Sequence, residues 1–86
     1  MATEMNGNGC KVTILGRSGL RYEEGTRKAF VDGEMLTGKY DFAVYTKSIG
    51  LWENDGRPIS EEEKKNIVAN ISLVFQQNGL VGVFEE

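Results

Sequence analysis

Pro58-Ile59-Ser60-Glu61-Glu62-Glu63-Lys64-Lys65-Asn66-Ile67-Val68-Ala69-Asn70-Ile71-Ser72-Leu73-Val74-Phe75-Gln76-Gln77-Asn78-Gly79 is the stretch whose reading decides the fold. Ser60 with Glu63 three residues on is a capping box: the hydroxyl takes the Glu63 amide proton and the carboxylate returns to the Ser60 amide. Glu61, Glu62 and Glu63 all sit at the positive end of the helix dipole. Glu61 is also spaced to pair with Lys65. Ile67, Val68, Ile71, Val74 and Phe75 make one apolar stripe at helical spacing. Asn78-Gly79 supplies the stop. A helix with one apolar face must cover something, and the only candidate is a sheet built by the rest of the chain.

Upstream the pattern changes to alternation. Lys11–Leu15 is β-branched, with Val12 and Ile14 on one face. Leu20–Glu23 alternates with Leu20 and Tyr22 inward. Glu24-Gly25-Thr26 signals a hairpin. Arg27–Val31 returns, with Ala29 and Val31, or Phe30, inward. Asp32-Gly33 reads as a second turn, and Glu34-Met35-Leu36 continues the strand beyond a bulge. Tyr40–Thr46 is the clearest central strand. After the helix, Leu80–Phe84 is a short apolar strand. Residues 1–9, Met-Ala-Thr-Glu-Met-Asn-Gly-Asn-Gly, are polar and Gly-rich, and read as a flexible tail. Residues 10–86 then form a single α+β domain. The expected architecture is a mainly antiparallel sheet of about five strands with one helix on one face, in the order β-β-β-β-α-β. Leu15, Phe30 and Tyr45 would be left on the face opposite the helix.

Composition removes several function classes. The 86-residue chain has a net charge of −3 and no histidine. Nucleic-acid binders normally carry the opposite balance, so nucleic acid is not an expected partner. Without His there is no Ser–His–Asp or Cys–His arrangement and no His-containing zinc site. One cysteine, Cys10, makes neither an internal disulfide nor a Cys₄ site. No metal or cofactor is expected, and no catalytic residue. There is no signal-peptide pattern and no 18-residue apolar run, so the expectation is a cytoplasmic protein without a membrane partner. The Asn70-Ile71-Ser72 sequon lies within the helix and matters only in a secreted chain.

Two glycine motifs have the spacing of ligand-binding loops. Gly33-Glu34-Met35-Leu36-Thr37-Gly38-Lys39-Tyr40 has the spacing of a phosphate loop, but Tyr40 replaces the Mg²⁺-binding hydroxyl residue and a strand follows. Gly16-Arg17-Ser18-Gly19 has the form of a KH clamp but joins two strands. Both read as connectors. Carboxylate pairs such as Asp32 with Glu34, or Glu23 with Glu24, have no cleft to serve.

The loop before the helix carries the only Trp and the only Pro. Trp52 either packs across the sheet edge or helix start, or serves as a contact anchor. Tyr45-Thr46-Lys47-Ser48-Ile49, then Trp52, then Pro58-Ile59-Ser60-Glu61-Glu62-Glu63-Lys64, with Val31-Asp32-Gly33-Glu34-Met35-Leu36 upstream, resembles the immunity protein 74 family of bacterial polymorphic toxin systems. The resemblance covers about residues 11 to 84. It implies a non-catalytic module that binds a cognate toxin domain and occludes it, and an acidic inhibitor suits a toxin with a basic site, such as a nuclease. The partner-facing residues expected on this chain are Trp52, Glu53, Asp55, Arg57, Glu61 and Glu62, with Asp32 and Glu34 as a second patch. Two alternatives stay open: a structural or regulatory module that forms a homodimer through a strand edge, and a small-ligand or nucleotide binder using Gly33–Lys39.

Overall fold

The structure is a computed structural model and describes residues 2–7, 9–16 and 18–85. Six strands form one sheet in chain order: β1 (Ala2–Gly7), β2 (Cys10–Leu15), β3 (Ser18–Glu24), β4 (Arg27–Met35), β5 (Phe42–Tyr45) and β6 (Gly82–Glu85). The first five run antiparallel as a meander. A 3₁₀ turn (Thr46–Ser48), a loop and helix α1 (Glu61–Gln77) follow β5. The chain then enters β6, parallel to β5. Parallel neighbours need a crossover of a dozen or more residues, and α1 supplies it.

The α+β class with a single helix on a mostly antiparallel sheet is as expected, but there are six strands where about five were expected. The sixth is β1, in residues read as a tail. It pairs with β2 from Ala2↔Leu15 to Gly7↔Cys10 and buries Met5 to 4% exposure. Its low β-propensity hid it. The overlooked signal is the Asn8-Gly9 dipeptide, a hairpin signature between two short runs.

One sheet face and one helix stripe make the core. Val12, Ile14, Leu20, Tyr22, Ala29 and Val31 are buried across β2–β4, and Phe42 and Val44 extend the layer into β5. Ile67, Ile71, Val74 and Phe75 of α1 close on them, with Val68 half-buried at the margin. Phe75 meets Phe42 edge to face at 6.0 Å. The helix ends are set as the sequence indicated. Ser60 Oγ accepts from the Glu63 amide at 3.1 Å and Glu63 Oε1 accepts from the Ser60 amide at 2.9 Å. At the other end Gly79 takes φ +74° and the Leu80 amide donates to the Phe75 carbonyl, closing a Schellman turn. The expected Glu61–Lys65 pair does not form among the described residues. Glu63 instead ties the first turn to the sheet through Arg27 at 2.7 Å.

Asp32-Gly33 is not a turn. Strand β4 continues through it, and Gly33 pairs with Val44. The ladder to β3 shifts here: Ser18 pairs with Glu34 and Leu20 with Val31, so Asp32 and Gly33 together oppose Gly19, which is the bulge expected beside Gly33. Gly33 is required by close approach: a Cβ there would stand 2.3 Å from the Ala43 carbonyl oxygen and 2.6 Å from the Phe42 ring. Gly33→Ala should therefore lower stability by about 1–3 kcal/mol through overpacking, measured by urea denaturation. An unchanged midpoint would remove this explanation.

Burial pushes the Tyr22 phenol well above its ordinary value, and burial also raises the Cys10 thiol, whose S–H donates to the Gly7 carbonyl. Both groups are neutral when protonated and have raised values in the folded chain. Their contribution is therefore intact below the unfolded values of about 8.5 and 10, and is lost as pH rises past them. The urea midpoint should hold to about pH 8 and fall toward pH 10.5. Cys10→Ala should flatten the first part of that fall, and an identical profile in the variant would exclude Cys10 as a contributor.

Candidate functional site: the open sheet face and the Trp52 loop

The helix covers one face of the sheet, so the site is sought on what it leaves uncovered. Strand alternation sends Leu15, Arg21, Phe30, Asp32, Glu34 and Tyr45 to the opposite face. Phe30 is 45% exposed there and its ring lies over Gly19, where any Cβ would collide with it at 2.7 Å. This is the cross-strand shielding of a strand glycine by an aromatic ring.

The loop after β5 borders the same face. Strand β5 pairs only with Gly33, Glu34 and Met35, so the first part of β4 has a free edge. Loop groups satisfy it. The Glu53 amide donates to the Lys28 carbonyl at 2.7 Å, Asn54 Oδ1 accepts from the Lys28 amide at 2.7 Å, and Ser48 Oγ accepts from the Asp32 amide at 2.7 Å. Asn54 Nδ2 also donates to the Thr26 carbonyl. The loop folds back on itself through the Leu51–Pro58 bridge, and Asp55 Oδ1 accepts from the Arg57 amide at 3.0 Å. Leu51, 58% exposed, thereby comes beside Phe30, and the two line an open cleft of about 570 Å³ with Ser48, Gly50 and Glu53.

Trp52 does not project into solvent. It is 3% exposed and belongs to the core. The Arg27 guanidinium lies over its ring at 4.3 Å, while the same group binds Glu24 at 2.8 Å and Glu63 at 2.7 Å. Of the two readings of Trp52, the structure favours packing over a contact anchor, because the indole is buried with the Arg27 guanidinium seated on its ring. Its function in this geometry is to fix the loop against the start of α1. Trp52→Ala should cost about 3–5 kcal/mol of stability, read by chemical denaturation. Wild-type stability in that variant would contradict the packing role.

The other expected residues separate into two groups. Asp32, Glu34 and Glu53 belong to the open face or its border. Asp55 and Arg57 sit beside Arg27 and Glu63 near the helix start, and Glu61 and Glu62 are exposed on the first turn of α1. The loop joins the two groups but does not merge them. Residues not expected at a site, Tyr45, Leu51 and Glu85, join the first group. Alternation in β5 had placed Tyr45 on this face; nothing short of the loop's fold places Leu51 there.

Charge divides the open face. On the β1–β3 side, Lys11 lies 3.9 Å from Glu4 and 3.7 Å from Glu23, and Arg21 lies 3.2 Å from Glu53. On the β4–β6 side, no Lys or Arg among the described residues pairs with Asp32, Glu34 or Glu85. The Tyr45 hydroxyl donates to Glu34 at 3.1 Å. That hydrogen bond, followed by desolvation and the charges of Glu34, Glu85 and Asp32, pushes the Tyr45 phenol above its ordinary value. Among the described residues no group of three or more His, Cys, Asp or Glu is arranged to hold a metal ion. None of the described helices is long and apolar enough to cross a membrane.

The family model for Immunity protein 74 matches residues 11–85, the chain from β2 to β6. The chain belongs to the immunity protein 74 family. Strand β1 lies outside the matched region of this immunity protein. Neither the curated proteins nor the solved structures gave a match to it. The segment Gly33–Lys39 runs from the interior of β4 into the turn before β5, so no helix N-terminus stands where a phosphate loop needs one.

Proposed function

We propose that this immunity protein binds a cognate toxin protein in the cytoplasm of the producing cell and neutralises it by occlusion, without chemistry of its own. Membership of the immunity protein 74 family, over residues 11–85, is the observation that carries the reading. A surface suited to the task is held by a rigid scaffold. The open sheet face and the Trp52 loop are fixed by the sheet ladder, by the loop's backbone bonds to β4 and by the buried indole. Preorganisation of this kind lowers the ordering cost of association. Asp32, Glu34 and Glu53 form the contact group; Asp55, Arg57, Glu61 and Glu62, expected to join them, stand apart at the helix start.

Occlusion has a stoichiometry that chemistry does not. Titrating the immunity protein into a fixed amount of the toxin domain encoded beside its gene should end the toxin's activity at about one molecule per toxin, as tight binding requires. Full protection at a small fraction of that ratio would show turnover and overturn the occlusion mechanism. No protection at any ratio would overturn the function.

A second reading rests on the outer edge of β6, which has no strand neighbour in the sheet order. Open edges template self-association. A monomeric mass by light scattering across the working concentration range would remove it.

A further inference from the structure

The apolar cleft between Phe30 and Leu51 is continuous with the half of the sheet face whose carboxylates have no cation of their own. Tyr45 links them. Its ring lies on the same face, its hydroxyl holds Glu34, and Glu85 is its register partner on β6. The result is a surface with two exposed apolar side chains, Phe30 and Leu51, and an acidic margin of Asp32, Glu34 and Glu85. Of the other charged groups on that face, Glu4, Lys11, Arg21, Glu23 and Glu53 are already paired, and Lys28, at the far end of β4 beside Arg21 and Asn54, makes no ion pair with this margin.

The geometry points to this face, Phe30 and Leu51 with the Asp32–Glu34–Glu85 margin, as the docking surface for a protein partner that presents lysine or arginine around an apolar centre. The inference rests on the toxin-neutralising reading and adds to it the side of the molecule used and the chemistry of the partner. An apolar centre within a charged rim is the ordinary anatomy of a protein interface. Unpaired rim carboxylates steer a basic surface in and disfavour an acidic one. A second copy of this chain seated with its β4–β6 half over this one would bring Asp32, Glu34 and Glu85 of one near those of the other, which disfavours that arrangement. The outer face of α1 presents a different character. The cleft it forms with β6 is lined by Lys65, Val68, Ala69, Ser72, Thr46 and Phe84, with no carboxylate.

The test compares association and dissociation rates of the full chain with the toxin domain encoded beside its gene. The variants are Glu34→Lys with Glu85→Lys, Leu51→Ala, and Glu61→Lys with Glu62→Lys. All five positions are exposed, and thermal melts establish that each variant is folded. The Glu34/Glu85 reversal should slow association about ten-fold at low ionic strength, with the difference shrinking in high salt. Leu51→Ala should speed dissociation about five-fold or more, as loss of a central apolar contact does. The Glu61/Glu62 reversal should change either rate by less than about two-fold, as for charges outside an interface. Unchanged association in the Glu34/Glu85 variant, or a larger effect from the Glu61/Glu62 variant, overturns the assignment while leaving the toxin-binding reading standing. Failure of the wild-type chain to bind the toxin overturns both. A dimer of the chain alone that Leu51→Ala dissolves would give the face to a second copy and likewise overturn the assignment.

Discussion

Ile67, Ile71, Val74 and Phe75 have one place to go, the sheet face carrying Val12, Leu20, Tyr22, Val31 and Phe42. Burying a side chain of this size contributes about 1.5–3 kcal/mol, so four of them together are comparable to the ~5–15 kcal/mol net stability of a whole domain. Helix α1 cannot be displaced without losing the fold. Its coverage of one face therefore decides which face is available to anything else. The crossover that brings α1 there also makes β6 parallel to β5. Gly82 permits this closure, since a Cβ at that position would meet the Phe75 ring at 2.7 Å.

Apolar packing alone would let the helix slide. A polar chain fixes its position. Tyr22 is fully buried, and its hydroxyl donates to Glu24 at 2.7 Å and accepts from Asn70 at 2.8 Å. Glu24 passes to Arg27, Arg27 to Glu63, and Glu63 to the Ser60 amide. A buried hydroxyl without partners is costly, so each helix position that breaks this chain is penalised. The hydrogen bonds from Ser60 and Arg27 hold the Glu63 carboxyl below its usual range. The same Arg27 caps the Trp52 ring, so the geometry of the loop is inherited from the position of the helix.

Much of the fold was legible because the signals were local. The capping box, the i, i+3, i+4 stripe and the Asn78-Gly79 stop are complete in and beside α1, and the alternation of β2–β4 predicted the inward residues. What was not legible depended on partners distant in sequence. Strand β1 exists because β2 offers an edge, which no property of Met-Ala-Thr-Glu-Met announces. Gly33 resembled a turn glycine because Phe42 and Ala43, which demand it, are nine and ten residues away. Trp52 left two readings open because its neighbours in sequence are polar; the residue that seats it is Arg27, on β4. On the uncovered face, Asp32 and Glu34 were placed together by strand spacing. Leu51 was missed because a loop places it by backbone bonds to β4 that no periodicity reveals. Membership of the immunity protein 74 family gives the residues on the uncovered face a functional context that their chemistry alone does not supply.

The central claim is that the helix-free face is the working surface of this immunity protein. Mapping the toxin complex by NMR side-chain shifts tests it most directly. The account predicts perturbation at Phe30, Tyr45 and Leu51, with Leu73 and Val68 on α1 unmoved. Shifts concentrated at Leu73 and Val68, with Phe30 and Tyr45 unchanged, would contradict it.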